Sequence, residues 1–488
     1  MDPSGSFAAP KPSIRHDHTP AFVSTEDDQE LEGSTTVEQL KVLSPHSLDS
    51  AESLLLEYYI GCFSRTYPTF SGPTNPFLSV LLPIAMQSRM VLDSLLTVSG
   101  ARIWDYGWSG MERETLKLRQ RALSGCRRVL ERYNNTNQQS VTDTANGSLP
   151  QPTMHHSTIP SAENLDAADF LPLLTSATLF LLYDMLMGEE NFRPHLEFID
   201  WLFRRHFLGF NNGAHKQHPL SVEAFRFLYN CFLYNDLVRS TSLGVPTASD
   251  FYVRAVSSIS DDPFPHETIH DQQSRYYFPS LIARISAQDT TVSEGDIEAW
   301  NGRLDWLPSL CLVDFHGAKA DVEALNRKAA GSETARPDVS TARGGEYSKD
   351  RDIISQLYRV TARIYRRQSF GGDPGSFTNF EDVDPKSSSS LASSAIQLIQ
   401  QLSEGSAFDS ALLWPIGICG RELMGDQVWE RHYVIFRLQQ LEKRFRMKHF
   451  QRAQQVLANT WSRKDQEAMH DSVMYSCGWK RLDLILLG

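Results

Sequence analysis

Apolar residues along this chain recur at intervals of three and four, the spacing that lines one face of a helix. Leu92, Leu95, Leu96 and Ser99 make the clearest stripe, and Leu196, Ile199 and Phe203 repeat it, as do Phe225, Leu228 and Phe232. Asp49 followed by Glu52 reads as a capping box that opens a helix through Leu54, Leu55, Tyr58 and Tyr59. Asn75-Pro76 supplies an N-cap and a proline at the first helical position for Phe77–Met86, which Pro83 interrupts or kinks. Leu116, Leu123, Cys126 and Leu130 predict the core face of another helix, with Arg119, Arg121, Arg127 and Arg128 off that face. No segment alternates with period two, and Asn146-Gly147 stands in a polar stretch rather than between strands. The pattern predicts an all-α protein. Helices of unequal length and no fixed-length repeat make it an irregular multi-helix array rather than a solenoid.

Four segments break the periodicity. Residues 1–48 are rich in Pro, Ser, Thr and acids and poor in large apolar residues, so they read as a disordered acidic tail. Residues 134–166, 329–350 and 369–390 have similar composition and read as long disordered insertions. Helical periodicity resumes after each of them, so residues 49–488 read as one helical domain rather than the roughly three domains that length alone suggests.

Composition sharpens this picture. The chain has 488 residues, 41% of them apolar or aromatic, enough for a sizeable core. Its 47 basic and 59 acidic residues give a net charge of −12. The first fifty residues hold three bases against nine acids, so half of the excess sits there. That balance repels a phosphate backbone and argues against extensive direct contact with nucleic acid. The cysteines, Cys62, Cys126, Cys231, Cys311, Cys419 and Cys477, are scattered, with none of the short spacings that present two ligands to one zinc ion. Apolar neighbours mark them as buried free thiols in a reducing compartment. The N-terminus shows no apolar signal region. The longest uncharged apolar run, about Phe170–Tyr183, contains Pro172 and several Ser and Thr, and is too short and too polar for a bilayer, so no membrane partner is expected.

Enzyme motifs are missing from the sequence: no phosphate loop, no dinucleotide fingerprint and no paired histidines of the H-E-x-x-H kind. Gly107-Trp108-Ser109-Gly110-Met111 approaches a nucleophile elbow, but its second glycine is one place early. His16-Asp17-His18 and His155-His156 stand in polar stretches with no third ligand near in sequence. The glycines near Gly417 and Gly420 form no cradle, and Asn134-Asn135-Thr136 and Asn146-Gly147-Ser148 are formal glycosylation sequons without a secretory context. No catalytic, cofactor-binding, metal-binding or DNA-binding residue is therefore assigned. The most basic window, Arg431–Arg452, carries Arg431, Arg437, Lys443, Arg444, Arg446, Lys448 and Arg452 against Glu442 alone. It could serve as a nucleic-acid or import patch. Ile435, Leu438, Leu441 and Phe445 recur within it at helical spacing, which favours a solvated helix face.

Four blocks in order resemble the regulatory domain of fungal-specific transcription factors, second type. They are Leu54–Arg102, with its Asn-Pro-Phe and Leu-Leu-Pro; Leu179–Phe203, with LFLLYDM; Leu357–Arg367; and Leu413–Trp461, which begins LWPIGICGREL. Trp414, Pro415, Gly420, Glu422, Arg431 and Trp461 stand where that family places such residues. The resemblance implies an all-helical, non-catalytic regulatory domain in a nuclear regulator of transcription, one that sometimes responds to a metabolite. In the family a zinc cluster of six closely spaced cysteines reads DNA. Here the first cysteine is Cys62 and the leading segment is acidic, so a regulator without its own DNA reader is expected. It would act through other transcription regulators or coactivators, touch DNA only through such a partner, and take a small-molecule effector, in control of a metabolic or secondary-metabolite pathway. The alternatives are a helical pathway helper protein or enzyme, with Asp236, His195 or Glu422 lining a pocket, and a helical scaffold without a ligand. The purified chain is expected to hold no stoichiometric zinc; elemental analysis finding two zinc ions per chain would contradict the reading.

Overall fold

In the computed structural model, residues 46–66, 75–104, 110–145, 167–188, 193–209, 219–243, 273–308, 339–370 and 387–470 are described. Every regular element among them is helical, as the periodicity predicts. Asp49 starts helix α1 (Ser50–Tyr58) as a capping box, with its carboxylate accepting from the Glu52 N–H at 2.8 Å. The chain then tightens into a π-turn over Tyr59–Phe63. Asn75 caps the next segment and also donates to the Ser64 carbonyl at 2.7 Å, tying the two together. A second π-turn, Phe77–Leu81, leads into α2 (Leu82–Gln87), with Pro83 in its first turn, where a missing N–H costs nothing.

Helix α3 (Arg89–Trp104) organises the N-terminal half, packing against α2, α4 (Met111–Ala145) and α5 (Ala167–Met187). Leu92, Leu95, Leu96 and Ser99 are all fully buried. The α3–α4 contact differs from the sequence expectation. Leu116 and Leu123 are exposed and Cys126 and Leu130 half-buried; the buried row is Met111, Thr115, Leu118, Ala122, Val129 and Tyr133. Small side chains decide this. A Cβ on Gly100 would stand 2.1 Å from Thr115 Oγ1, so the two helices approach too closely for leucine at the crossing. Helix α4 also runs to Ala145, into the segment read as an insertion from Asn134. That segment contains no glycine or proline before Gly147, and nothing in it stops a helix. Helix α5 is longer than the apolar run read from the sequence. Asp169–Met187 has mean hydropathy 1.6 and is long and apolar enough to cross a membrane, yet 83% of it is buried inside this fold.

Helices α6 (Arg193–Gly209) and α7 (Pro219–Leu243) pack on α5, burying Leu196, Ile199, Phe203, Phe225, Leu228 and Phe232. Helix α8 (Tyr277–Ser286) bridges α7 to α10 (Val339–Phe370), with the short α9 (Glu294–Ala299) beside α10. Helix α10 begins inside the second segment read as an insertion, just after Pro337. Helix α11 (Ser388–Gln400) likewise starts in the serine run: Ser387 accepts from the Ser390 N–H at 3.1 Å, the capping role serine favours. Helices α12 (Leu413–Glu422), α13 (Val428–Phe445) and α14 (Lys448–His470) complete the fold, and α14 returns to pack on α5.

Two kinds of bonding hold the array. An aromatic cluster joins α8, α10, α12 and the 300–306 segment: Phe278 lies 4.4 Å from Trp300 and 5.4 Å from Tyr358, which in turn lies 5.2 Å from Trp414. Ion pairs bind the N-terminal helices. Glu52 of α1 and Asp93 of α3 share Arg89 and Arg121, with Arg121 to Asp93 at 2.6 Å. Burial pushes the Glu52 carboxyl up, but the Arg121 and Arg89 guanidiniums outweigh it and hold it below the usual range. Burial also raises the Asp305 carboxyl, and Arg303 and Arg275 bring it below its ordinary value.

His449 on α14 is buried, its Nδ1 without a partner among the described residues. Burial, opposed by the Met185 backbone, lowers its pKa to about 4. Its folded-state pKa lies below the ordinary 6.5, so stability is complete above 6.5 and falls as pH drops from there toward 4. The loss at pH 4 is on the order of 3 kcal/mol. Glu52 and Asp305 titrate at lower pH, since their contribution is present above the ordinary carboxylate range and is lost as pH falls through their depressed values. Denaturant unfolding across pH 4 to 7 should therefore show a slope that His449→Gln reduces, leaving the part due to His46, whose pKa burial and Arg89 also lower, while acid unfolding below pH 4 persists in that variant.

Candidate functional site

Four of the six residues shared with the resembled family, Gly420, Glu422, Arg431 and Trp461, come together at one place, the C-terminal end of α12. The last carbonyls of a helix have no partner inside it and must find one elsewhere when buried. Trp461 of α14 donates its indole N–H to the Gly420 carbonyl at 2.8 Å. Arg431 of α13 donates to the Leu423 carbonyl at 3.1 Å, and Lys464 of α14 to the Arg421 carbonyl at 2.5 Å. Arg431 also forks onto Asp465 at 2.7 and 3.0 Å and lies over the Trp461 ring, 5.3 Å from its centre. Two cations at a helix C-terminus complement its partial negative charge. Trp414 and Pro415, at the other end of α12, are buried, with Trp414 in the aromatic cluster, and Glu422 accepts from Gln368 Nε2 of α10 at 2.7 Å. The four at this end thus form a latch among α10, α12, α13 and α14.

The basic window Arg431–Arg452 is largely spent in the same way. Arg437 and Arg444 both reach Asp409 at 2.6 Å, and Arg444 also donates to the Ser406 carbonyl at 3.1 Å. Arg452 donates to the Gly188 carbonyl at the end of α5, at 3.1 Å. Gly188 has φ +68°, the left-handed turn that ends a helix, and a Cβ there would lie 2.9 Å from Lys448 Cβ. These are structural arginines, as the apolar spacing of the window favours. Leu438, Leu441 and Phe445 are buried and Ile435 is half-buried.

The three residues weighed for an enzyme site are engaged separately. His195 of α6 pairs with Asp184 of α5 at 2.6 Å and stacks on Phe180. Asp236 of α7 takes Arg239 at 2.6 Å, and Glu422 stands in the latch. Burial pushes the Cys419 thiol up to about 12 and the Cys126 thiol up to about 11, the opposite of an activated nucleophile. Cys126 and Cys419 are free thiols; Cys311 and Cys477 lie outside the described residues. So do His16-Asp17-His18, His155-His156 and Ser109. Among the described residues, no three His, Cys, Asp or Glu side chains are grouped to hold a metal ion. An open groove of about 750 Å³ runs beside α4, lined by Arg89, Gly125, Arg128, Arg132, Asp169 and Pro172 among others.

Sequence reasoning missed one surface. Helix α4 turns Leu116 and Leu123 outward in a row with Gln120 and Arg127, flanked by Arg113, Lys117 and Arg128. Leu116, Gln120, Leu123 and Arg127 fall at i, i+4, i+7 and i+11, so one helical face carries them all. Over Met111–Tyr133 there are seven bases against three acids, in a chain that is acidic overall. The leucine spacing was legible, but which leucine stripe faces the core was not.

A family model, fungal specific transcription factor domain, matches residues 53–482, and the chain belongs to that family. It is a fungal transcriptional regulator, and the family is of a regulatory, non-enzymatic kind whose members act in the nucleus. No curated protein and no solved structure matches it.

The latch has a measurable consequence. Trp461→Phe keeps the ring and removes the donor to Gly420, and should lower unfolding free energy by about 1 kcal/mol. Arg431→Lys should destabilise more than Asp465→Asn, because Arg431 serves a carbonyl, a carboxylate and an aromatic face together. Denaturant titrations at neutral pH check both; equal effects of the latter two would reduce Arg431 to its ion pair.

Proposed function

We propose that this chain is the effector module of a fungal transcriptional regulator, acting on DNA through a partner and controlling a metabolic or secondary-metabolite pathway. The observation that carries the partner is the outward face of α4. Leu116 and Leu123 are exposed to 45% and 39%, and Arg113, Arg127 and Arg128 form no ion pair among the described residues. A phosphate backbone would be met by bases alone. Leucines interleaved with bases fit instead an acidic, amphipathic segment of a coactivator or of another regulator, which supplies apolar side chains and carboxylates on one face. The family's response to metabolites makes a small-molecule effector the second partner; ligand-dependent thermal stabilisation would reveal it.

The test is DNA capture. The pure chain should give no site-selective band shift, whereas the chain added to extract should recover specific genomic fragments. Leu123→Asp and Arg127→Glu, both on exposed positions, should abolish that recovery while leaving the helical circular dichroism unchanged. Tight, site-selective binding by the pure chain would overturn the proposal, as would undiminished recovery with both variants.

A further inference from the structure

Helix α13 turns a second apolar face outward. Val428, Trp429 and Phe436 are 53%, 60% and 53% exposed, and Met424, just before the helix, is 48% exposed. Trp429 stacks on the half-buried Tyr433, with ring centres 5.7 Å apart. This is unlike the aromatic residues elsewhere in the fold, where Trp300, Trp306 and Trp414 are at most 1% exposed. Four large apolar side chains are exposed within thirteen residues, an unusual density for surface that meets water alone. Aromatic residues of this kind anchor protein interfaces when a partner covers them.

The charges at its ends indicate the partner. Asp426 is exposed in the turn just before the helix and Lys443 near its end, and neither forms an ion pair or hydrogen bond among the described residues. Between them the exposed positions of the helix are Val428, Trp429, His432, Phe436 and Gln439, none of which carries a fixed charge. From Val428 to Lys443 the helix advances about 22 Å. An acidic partner would satisfy only the Lys443 end, and a basic one only the Asp426 end. The same face turned end for end satisfies both.

We infer that the α13 face is a two-fold interface between copies of this chain, with the two α13 helices antiparallel. In that arrangement Asp426 of each copy meets Lys443 of the other, and Phe436 of each packs on Tyr433 of the other across the axis. An isologous contact makes each pairing twice. The net charge of −12 opposes association only at long range, since salt screens it beyond about 8 Å at physiological ionic strength. The inference does not depend on the α4 partner, which uses a different helix.

Sedimentation of the full chain tests it. The wild-type protein should be a dimer at micromolar concentration. Phe436→Glu should be a monomer with unchanged helical circular dichroism. Asp426→Lys and Lys443→Glu should each raise the dimer dissociation constant at least about tenfold, since each replaces two attractions by two repulsions. The double reversal should restore it. Carbodiimide cross-linking of mixed light and heavy isotope-labelled chains should join Asp426 of one copy to Lys443 of the other. A wild-type monomer, a dimer unmoved by Phe436→Glu, or reversals that fail to rescue each other would each overturn the inference. So would a cross-link from Lys443 to Asp471 or Asp483 of the same copy, which would give the face to the chain's own C-terminal segment.

Discussion

Helices packed without a sheet have few directional bonds to share, because each satisfies its own backbone except at its ends. In this fold the buried helix ends become the points of attachment. The carbonyls closing α12 are taken by Trp461, Arg431 and Lys464. The Phe445 carbonyl closing α13 is taken by Arg102 of α3, the Gly188 carbonyl after α5 by Arg452 of α14, and the Trp300 carbonyl after α9 by Arg359 of α10. Each bond satisfies an acceptor that would otherwise be stranded, and each spans helices far apart in sequence. Hydrophobic contact supplies most of the stabilisation, but it is non-directional; these caps fix which helix ends meet.

The same economy accounts for the chain's charge. Six of its arginines tie helices together: Arg89 and Arg121 on Glu52 and Asp93, Arg275 and Arg303 on Asp305, and Arg437 and Arg444 on Asp409. Buried carboxylates of this kind are tolerable only when paired, and an arginine can serve two acceptors at once. A window that reads as a nucleic-acid patch by composition is therefore mostly internal. The surfaces left over are more telling. The α4 face mixes leucine with unpaired base, and the α13 face is apolar with an acid and a base at its ends. They have different chemistry and fit different occupants.

Much of the helical plan was legible in the sequence. The Asp49–Glu52 cap, the Asn75-Pro76 start, the α3 leucine stripe and the stripes of α6 and α7 all follow from local spacing, and local spacing is enough to specify a helix and its amphipathic face. The ordered family blocks, ending in Trp414, Gly420, Arg431 and Trp461, marked the right place in the chain, though not what those residues do there. Helix α4 was misread because two stripes compete on it. Leucines at 116 and 123 look like core, but Thr115, Ala122 and the approach of Gly100 let the backbones come closer on the other face. Close packing, not hydrophobicity, made that choice.

The amino-acid order alone thus determined an all-α chain, its first helix starts and an acidic leading segment, because caps, periodicity and charge act within a few residues. Only the tertiary structure decided which arginines are internal caps, which of two leucine stripes is buried, and which aromatic face is left open. Those outcomes depend on which distant helix ends and faces come into contact, and a helical chain carries no ladder of backbone bonds from which such pairings could be read.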